Sequence, residues 1–298
     1  MIYDAIIIGG GPAGMTAGIY LVRAGLKVLI LEKETIGGQI ATTPFLENYP
    51  GLANISGAEL ADNMYEQVTN LGAEFEIEEV REIIDGKIKK IITEDGEYET
   101  KSIIIATGSK YRSLGIETEE KFMGEAIHFC VACDGAFYKD KIVAVIGGGN
   151  SAVTNAIELA KTSSKVYLIQ DLAELTCEET LINKVNSLSN VEIILNSSIE
   201  SFNGDESLES ITVNSDGKTQ DIKVDGVFES VGMDAQTELV KDLVELNSHN
   251  YIIGSKGITN KSGIFVAGDC RDKEIRQLTT AVADGTTAAL ATINFLKN

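Results

Sequence analysis

The stretch that decides the fold is Asp4–Lys33, which reads DAIIIGGGPAGMTAGIYLVRAGLKVLILEK. An apolar β-branched run leads into a glycine turn, an Ala- and Gly-rich segment follows, and a second apolar run ends at Glu32. This order predicts a strand, a tight turn, a helix and a second strand. Residues 141–171, KIVAVIGGGNSAVTNAIELAKTSSKVYLIQD, repeat the pattern at a shift of 138 positions without a gap. Two such copies indicate two dinucleotide-binding folds, whereas one Gly-x-Gly-x-x-Gly is a weak signal.

The first copy has every residue that a dinucleotide site needs. Gly9 permits the tight turn, Gly11 lets the backbone approach a pyrophosphate, and Gly14 allows the helix to pack closely on the strand. The helix that starts after Pro12 offers free N–H groups to phosphate. Glu32 ends the second strand, where a carboxylate accepts hydrogen bonds from ribose hydroxyl groups.

The second copy keeps the turn but not the ribose-binding acid. Gly147 and Gly149 are present, Ala152 replaces the third glycine, and Gln170 stands where the first copy has Glu32. A cofactor with a 2′-phosphate requires Arg at this strand end, because guanidinium pairs bidentately with phosphate. NADPH is therefore not expected, whereas NADH stays open because Gln170 can hydrogen-bond a ribose.

The charge of the chain excludes some partners. The 298 residues include 25 Lys+Arg and 45 Asp+Glu, a net charge of −20. Such a chain repels nucleic acid and anionic membrane surfaces, which are bound through Lys and Arg. Residues 113–244 have 23 acidic and 9 basic side chains and no arginine, a net charge of −14. Most of the negative charge thus falls on the part of the chain that contains the second copy.

The termini and cysteines point to a reducing compartment. The N-terminus has no basic leader, and no apolar run approaches the ~20 residues of a membrane span, so we expect a cytoplasmic protein. Cys130 and Cys133 form a Cys-x-x-Cys pair, while Cys177 and Cys270 are isolated. With only two histidines in the chain and no second close pair of cysteines, a zinc site is not expected, and we predict no metal.

These patterns predict an α/β fold with two dinucleotide-binding, Rossmann-like domains of three ββα layers, the second inserted into the first. Turn signals divide a β-rich stretch at about 75–101, and 191–232 repeats this style. The last part contains GIFVAGD at 263–269 and an Ala/Thr-rich helix. We predict a first domain of residues 1–112 plus 245–298, and a second of residues 113–244.

Over nearly its whole length the sequence resembles the low-molecular-weight thioredoxin reductases, which are flavoproteins with two dinucleotide domains. The segments that carry the resemblance are Gly9–Gly14, Gly37–Ile40, Glu47–Gly51, Ala106–Gly108, Cys130–Gly135, Gly268–Asp269 and Arg276–Gln277.

The resemblance implies FAD in the first domain, thioredoxin as the substrate and a homodimer. It also implies that Cys130 and Cys133 form the redox disulfide, with Asp134 as the nearby acid. We expect Cys133 to be nearer the flavin, although the sequence leaves the order open. The expected FAD-binding residues are Gly9, Gly11, Pro12, Ala13, Gly14, Glu32, Gly38, Gln39, Asn48, Val80, Ala106, Thr107, Gly108, Gly268, Asp269, Arg276 and Gln277.

The chain departs from this family at the second nucleotide site. The family has a His-Arg-Arg cluster, a further Arg and two glutamates there; the corresponding residues here are Gln170, Asp171, Leu172, Thr176, Thr154 and Asn155. In this respect the chain resembles the ferredoxin-dependent flavin thioredoxin reductases of anaerobic bacteria. That resemblance implies that reduced ferredoxin supplies electrons one at a time to the FAD.

Three other functions stay open at this point. They are an NAD(P)H-dependent thioredoxin reductase with an atypical nucleotide site, a FAD-dependent dithiol oxidase, and a flavin-bound redox sensor without turnover. Two smaller interpretations are also open: His128 as a base near the cysteines, and a hairpin with Lys87, Lys89 and Lys90 as a docking surface for an acidic ferredoxin.

Overall fold

The computed structural model describes residues 1–43, 46, 48–52 and 55–297. The chain forms two units, and the second is inserted into the first. The first unit comprises Met1–Lys110 and Asp234–Asn298, and the second comprises Tyr111–Met233. Both contain mixed α/β sheets around a glycine turn, so the predicted fold class is confirmed.

The C-terminal boundary of the second unit differs from the predicted one. Residues 234–244 belong to the first unit and not to the inserted one. The reason is packing, because Val240 and Val244 are buried in one apolar cluster with Val80 and Ile252.

The first unit is built on a seven-stranded sheet. Its strands are β1 (Ile2–Ile8), β2 (Val28–Glu32), β3 (Glu74–Ile77), β4 (Val80–Ile84), β5 (Lys89–Thr93), β6 (Glu97–Ile105) and β17 (Ile264–Val266). The parallel strands follow the order β3-β2-β1-β6, and β5 and β4 continue the sheet as an antiparallel ribbon. Strand β6 is the longest and joins the two parts: its residues 99–105 pair in parallel with β1, its residues 103–105 pair in parallel with β17, and its residues 97–100 pair antiparallel with β5.

Three helices belong to the same unit: α1 (Pro12–Arg23), α2 (Gly57–Asn70) and α6 (Leu278–Lys297). Gly285 of α6 is what lets α6 approach α1, since a Cβ there would lie 2.2 Å from the Ala13 carbonyl oxygen. Ser56 caps α2, its side chain accepting a hydrogen bond from the Glu59 N–H. Close packing of α6 on α1 brings the C-terminal end of the chain onto the N-terminal glycine turn.

The second unit repeats this topology around the second glycine turn. Its elements are β8 (Ile127–His128), α3 (Val131–Asp134), β9 (Ile142–Ile146), α4 (Asn150–Leu159), β10 (Lys165–Ile169), α5 (Glu179–Asn186), β11 (Val191–Ile194), β12 (Ser197–Asn203), β13 (Ser210–Ser215), β14 (Lys218–Lys223) and β15 (Gly226–Glu229). The parallel sheet has the order β11-β10-β9-β15-β8, in which β9, β10 and β11 correspond to β1, β2 and β3. A three-stranded antiparallel sheet, β12-β13-β14, completes the unit.

Two short strands, β7 (Ser109–Tyr111) and β16 (Met233–Ala235), pair with each other where the chain passes from one unit to the other.

The observed boundaries also change the charge distribution. Residues 111–233 have 20 acidic and 9 basic side chains, a net charge of −11, which leaves −9 for the rest. The negative charge is thus shared more evenly than the predicted boundaries implied.

In the described part of the chain, no helix is both long enough and apolar enough to cross a membrane.

Candidate functional site

The glycine turn of the first unit is as tight as the sequence predicts. Gly9 adopts a φ of +112°, and a Cβ on it would lie 2.3 Å from the Ala106 carbonyl oxygen. A Cβ on Gly14 would lie 1.9 Å from the carbonyl oxygen of Gly9. These two positions require glycine for the fold itself, because a side chain would collide with backbone.

Gly11 differs, since the protein leaves space in front of it. Its φ is −77°, which any residue can adopt, and a Cβ would meet nothing closer than the Gly37 carbonyl oxygen at 3.8 Å. Gly38 faces it, and a Cβ there would come no nearer than 3.8 Å to the Gly11 Cα. The N–H of Gly37 donates to the Gly10 carbonyl oxygen at 3.0 Å, which fixes the two glycine loops opposite each other. The result is a backbone-lined cradle at the N-terminus of α1.

Glu32 is held at the end of β2 by two backbone hydrogen bonds. Its Oε2 accepts from the Gly10 N–H at 2.7 Å, and its Oε1 accepts from the Glu34 N–H at 2.9 Å. Each carboxylate oxygen keeps a second lone pair for a ribose hydroxyl group. Glu32 also lines a cavity of about 320 Å³ together with Gly9, Val80 and Thr107. Four expected FAD-binding residues therefore share one cavity.

The C-terminal segment adds charged groups to the same unit. Gly268 packs against α1, because a Cβ on it would lie 2.8 Å from the Ala13 Cβ. The next residue, Asp269, forms an ion pair of 2.8 Å with Lys273, whose side chain is 6% exposed and also contacts Asp284 at 3.0 Å. Sequence reasoning missed Lys273 and Asp284, which hold the Asp269 carboxylate in place.

The other expected residues lie in the loops around this turn. Gln39 donates to the Ser109 carbonyl oxygen, and Asn48 Nδ2 donates to Gln277 Oε1 at 3.4 Å. The guanidinium of Arg276 lies 3.9 Å from the ring centroid of Tyr251. Gly108 has a φ of +70°, and its carbonyl oxygen accepts from the Gln236 N–H. Glu47, which is part of the resemblance, lies outside the described residues.

Two observations test whether these residues fit FAD. The cradle between Gly11 and Gly38 is the space that a pyrophosphate needs and that a Cβ would fill. Within the described residues, Arg276 Nε is buried without a hydrogen-bond partner, which is costly unless a ligand atom accepts from it. The first unit therefore fits a dinucleotide cofactor.

The turn of the second unit has the same backbone form but different surroundings. Gly147 has a φ of +123°, and a Cβ on it would lie 2.7 Å from the Ser230 carbonyl oxygen. The Gln170 side chain packs onto Gly148, because a Cβ there would lie 2.5 Å from it. The Thr176 N–H donates to the Gly148 carbonyl oxygen at 2.9 Å, and a Cβ on Gly149 would lie 3.9 Å from the Thr176 hydroxyl oxygen. Thr176 thus has the position at the second turn that Gly37 has at the first.

The start of α4 carries a further polar contact. Asn150 Oδ1 accepts from the Glu178 N–H at 2.9 Å, and Asn150 Nδ2 donates to Glu178 Oε1 at 3.5 Å. A carboxylate thereby lies at the helix N-terminus, where a pyrophosphate would bind. Two negative groups repel each other, so Glu178 disfavours a phosphate at this end of α4.

Cys130 and Cys133 form a disulfide with a Cα–Cα distance of 5.3 Å. Cys130 precedes α3, a single turn that contains Cys133 and ends at Asp134, and both cysteines are partly exposed. The N–H of Asp134 donates to the Cys130 carbonyl oxygen at 3.0 Å. The pair is therefore on a short, fixed turn, with the predicted acid directly after it.

His128, a candidate base in the sequence, is buried next to this turn. Its Nδ1 lies 3.5 Å from Asp134 Oδ2, and its Nε2 lies 2.7 Å from Tyr138 Oη. The other histidine, His249, is exposed in the first unit. No sequence signal indicated the contact with Tyr138, which depends on how the chain after α3 folds back onto β8.

Two further groups differ from simple expectation. Glu229 is 2% exposed at the end of β15, and burial, together with the charge of the nearby Glu119, raises its pKa to about 8.

The Lys87–Lys90 hairpin is not an open cationic surface. Lys89 is 3% exposed and contacts Asp85 at 3.2 Å, while Lys90 pairs with Glu97 at 2.5 Å.

No cluster of three or more His, Cys, Asp or Glu side chains in the described ranges has the geometry to hold a metal ion. The isolated cysteines are Cys177 and Cys270. Burial raises the pKa of both thiols, which makes them poor nucleophiles.

Residues 3–285 match the family described as pyridine nucleotide-disulphide oxidoreductase. The chain belongs to this family. Membership implies FAD, in agreement with the fit of the first unit to a dinucleotide. The chain is a thioredoxin reductase-like flavoprotein disulfide oxidoreductase.

Relatives and solved structures agree with this assignment. A protein of Clostridium pasteurianum described as "34.2 kDa protein in rubredoxin operon" is 45% identical over 96% of this chain and 95% of its own length. Thioredoxin reductase of Bacillus subtilis (strain 168) is 36% identical over 99% of this chain and 95% of its own. The crystal structure of thioredoxin reductase from Streptococcus pyogenes MGAS5005 is 39% identical, with a TM-score of 0.94 over 99% of this chain and 98% of that one.

Proposed function

We propose that this pyridine nucleotide-disulphide oxidoreductase passes electrons from reduced ferredoxin, through FAD and the Cys130–Cys133 disulfide, to thioredoxin. When bound, FAD accepts electrons singly and delivers two to a disulfide. The chain itself positions the disulfide and Asp134, the acid that exchanges protons with the dithiol formed on reduction. A cytoplasmic homodimer is part of this proposal.

The observation that carries the choice of donor is the second glycine turn. The positions that hold the 2′-phosphate in the resembling family lack a cation, Gln170 packs onto the turn, and Glu178 lies at the start of α4. A dinucleotide with three phosphates would meet a carboxylate and no arginine there. These groups favour a donor that does not bind at this turn.

The description of the Clostridium relative associates it with a rubredoxin operon. An iron-containing electron carrier delivers one electron at a time. A flavin can accept electrons singly, whereas a nicotinamide donor transfers two together as hydride. The lysine hairpin no longer supports docking of an acidic ferredoxin, because Lys89 and Lys90 are paired with carboxylates.

For FAD, the proposal assigns the pyrophosphate to the turn Gly9–Gly14 and the adenosine ribose to Glu32. The remaining expected contacts are those with Gly38, Gln39, Asn48, Val80, Ala106, Thr107, Gly108, Gly268, Asp269, Arg276 and Gln277. The orphaned Arg276 Nε and the cradle at Gly11 support this assignment.

A second candidate is an NAD(P)H-dependent thioredoxin reductase. What favours it is the intact β9–α4–β10 unit, whose Gly147 still makes the tight turn. Named relatives such as the Bacillus subtilis enzyme are thioredoxin reductases. A dithiol oxidase has no specific observation in its favour.

The test is thioredoxin reduction under anaerobic conditions. The FAD-loaded protein is mixed with oxidised thioredoxin and with reduced ferredoxin, NADPH or NADH, and the new thiols of thioredoxin are counted. We expect thiols with ferredoxin only, and none with the variant Cys133→Ser. Equal turnover with NADPH would overturn the proposed donor, and failure with every donor would overturn thioredoxin as the substrate.

A further inference from the structure

Three buried polar side chains form a continuous chain beside the disulfide. His128 is 7% exposed, and its two ring nitrogens contact different partners. Nε2 lies 2.7 Å from the Tyr138 hydroxyl oxygen, and Nδ1 lies 3.5 Å from Asp134 Oδ2. Since Asp134 directly follows Cys133, one imidazole links a phenol to the carboxyl group of the redox turn.

The two contacts select one form of the imidazole. Burial, together with the negative charges of Asp134 and Asp225, raises the pKa of Tyr138 to about 12, so its hydroxyl group keeps the proton. A neutral imidazole has one N–H and one acceptor nitrogen. When Nε2 accepts from Tyr138, Nδ1 carries the hydrogen that faces the carboxylate. The opposite form would turn a lone pair of Nδ1 towards a negative oxygen.

The packing holds the ring in this orientation. Phe228 is in register with His128 on the adjacent strand, with ring centroids 5.4 Å apart and planes tilted by 32°. Gly226 makes room for the Tyr138 ring, because a Cβ there would lie 2.1 Å from it.

Two other charged groups surround this network. Lys141 Nζ lies 5.2 Å from the Tyr138 ring centroid, and Asp225 accepts a hydrogen bond from the Ile142 N–H. Both lie on the side of Tyr138 and not of Nδ1. Among the described contacts, no charged group other than Asp134 faces Nδ1.

The separation of 3.5 Å between Nδ1 and Asp134 is an ion-pair distance and long for a hydrogen bond. In resting structures the hydrogen bonds of catalytic groups are often long and shorten when the reaction partner arrives. The Asp134 backbone is fixed by its hydrogen bond to Cys130, so a shorter contact would require movement of the Asp134 side chain. The arrangement follows the general logic in which a third group orients an acid–base residue.

We propose that His128 is a positioning residue for Asp134, and that its Nδ1–H orients the carboxyl group which exchanges a proton with the Cys130–Cys133 dithiol. This inference rests on the proposed function only for the identity of the substrate disulfide.

The exchange step balances within the two proteins. One thiol of the pair gives its proton to Asp134, and the resulting thiolate attacks the thioredoxin disulfide to form a mixed disulfide. The second thiol then displaces thioredoxin, which re-forms the Cys130–Cys133 bond. The two protons lost by the pair end on the two sulfur atoms of thioredoxin, and two electrons pass from one dithiol to the other disulfide. Asp134 holds the first proton between these events, and the Nδ1–H of His128 orients its carboxyl group.

The first test reads the imidazole directly. Because the chain has only two histidines, ¹⁵N-histidine labelling of the FAD-loaded protein gives two imidazole spin systems, and His249→Gln assigns them. We expect His128 to have hydrogen on Nδ1, and its nitrogen shifts to change when dithiothreitol reduces the disulfide. Hydrogen on Nε2, or shifts that do not respond to reduction, would overturn the proposal.

The second test measures exchange without an electron donor. The protein is reduced with dithiothreitol, desalted under anaerobic conditions and mixed with oxidised thioredoxin between pH 5.5 and 8. We expect His128→Gln to slow the single turnover about tenfold at pH 7 and to flatten the pH profile, with the half-saturating concentration of thioredoxin unchanged. His249→Gln is the matched control and keeps the wild-type rate.

Two variants separate positioning from folding. Tyr138→Phe keeps the ring but removes the hydroxyl group that selects the tautomer, so it also flattens the pH profile. Adding His128→Gln to Asp134→Asn causes no further loss if the two residues act as a unit. A wild-type profile for His128→Gln, or additive losses in the double variant, would overturn the proposal. If the wild-type dithiol does not reduce thioredoxin at all, the proposed function fails, and the imidazole measurement still decides the role of His128.

Discussion

Replacing Glu229 by glutamine is expected to stabilise the protein, with a gain that grows as the pH rises. Glu229 is 2% exposed in the second unit, and burial, followed by the charge of Glu119, raises its pKa from 4.5 to about 8. The Oε2 of Glu119 accepts from the N–H groups of Gly115 and Ile116 at 2.8 and 3.0 Å. In the Glu229→Gln variant the side chain would be neutral at every pH and could donate its amide hydrogen to Glu119.

The direction follows from proton binding in the two states. Between pH 4.5 and 8 the folded protein keeps a proton on Glu229 that the unfolded chain releases, so stability falls as the pH rises through this range. One pH unit corresponds to about 1.4 kcal/mol. Relative to glutamine, the carboxyl group thus costs about 1 kcal/mol at pH 5, about 3 kcal/mol at pH 7 and about 5 kcal/mol above pH 8. The cost reaches its full value above pH 8, where Glu229 is ionised in the folded protein as well.

Urea unfolding of the full chain, followed by circular dichroism at pH 5, 6, 7 and 8, measures this difference. Glu206→Gln is the matched control, because Glu206 is an exposed glutamate of the same unit. We expect Glu229→Gln to exceed the wild type by a margin that increases with pH, and Glu206→Gln to follow the wild type. A margin that is constant across the range, or a less stable variant, would refute the reasoning that Glu229 is protonated in the fold.

Two further predictions concern the glycine turns. Gly11→Ala keeps the fold, since a Cβ there meets only ordinary contacts, but it should weaken FAD binding at least tenfold in a titration of the cofactor-free protein. The control Gly96→Ala, at another open glycine, should not weaken it. Equal affinities of the two variants for FAD would contradict the assignment of the pyrophosphate to the cradle at Gly11. The triple variant Asp171→Arg, Leu172→Arg and Thr176→Arg should raise the rate of flavin reduction by NADPH at least tenfold, because guanidinium groups pair with phosphate. Stopped-flow absorbance measures this rate. No gain would mean that these positions do not limit NADPH use.

Much of the fold could be predicted because the sequence repeats itself. The shift of 138 positions places β1–α1–β2 on β9–α4–β10, and the neighbouring strands then follow in the same order in both sheets. The boundary of the inserted unit could not be predicted in this way. Val240 and Val244 are apolar and would suit the core of either unit, and only the packing shows that they join Val80.

The candidate site divides along similar lines. Motif residues such as Gly9 and Glu32 could be predicted, because glycine turns and strand ends have a fixed geometry in this fold. Pairwise side-chain contacts could not, because they depend on distant segments. From the sequence, Lys89 is expected to be an exposed cation, yet in the structure it is buried next to Asp85. Glu229 ends an apolar strand, and nothing in the sequence indicates that it is buried beside Glu119.

The most direct test of the account is anaerobic stopped-flow absorbance of the FAD-loaded protein mixed separately with reduced ferredoxin and with NADPH. The absence of a phosphate-binding cation at Gln170–Thr176 and the Glu178 carboxylate at the start of α4 predict rapid loss of oxidised-flavin absorbance with ferredoxin and none with NADPH on the same timescale. Rapid bleaching by NADPH would contradict the account.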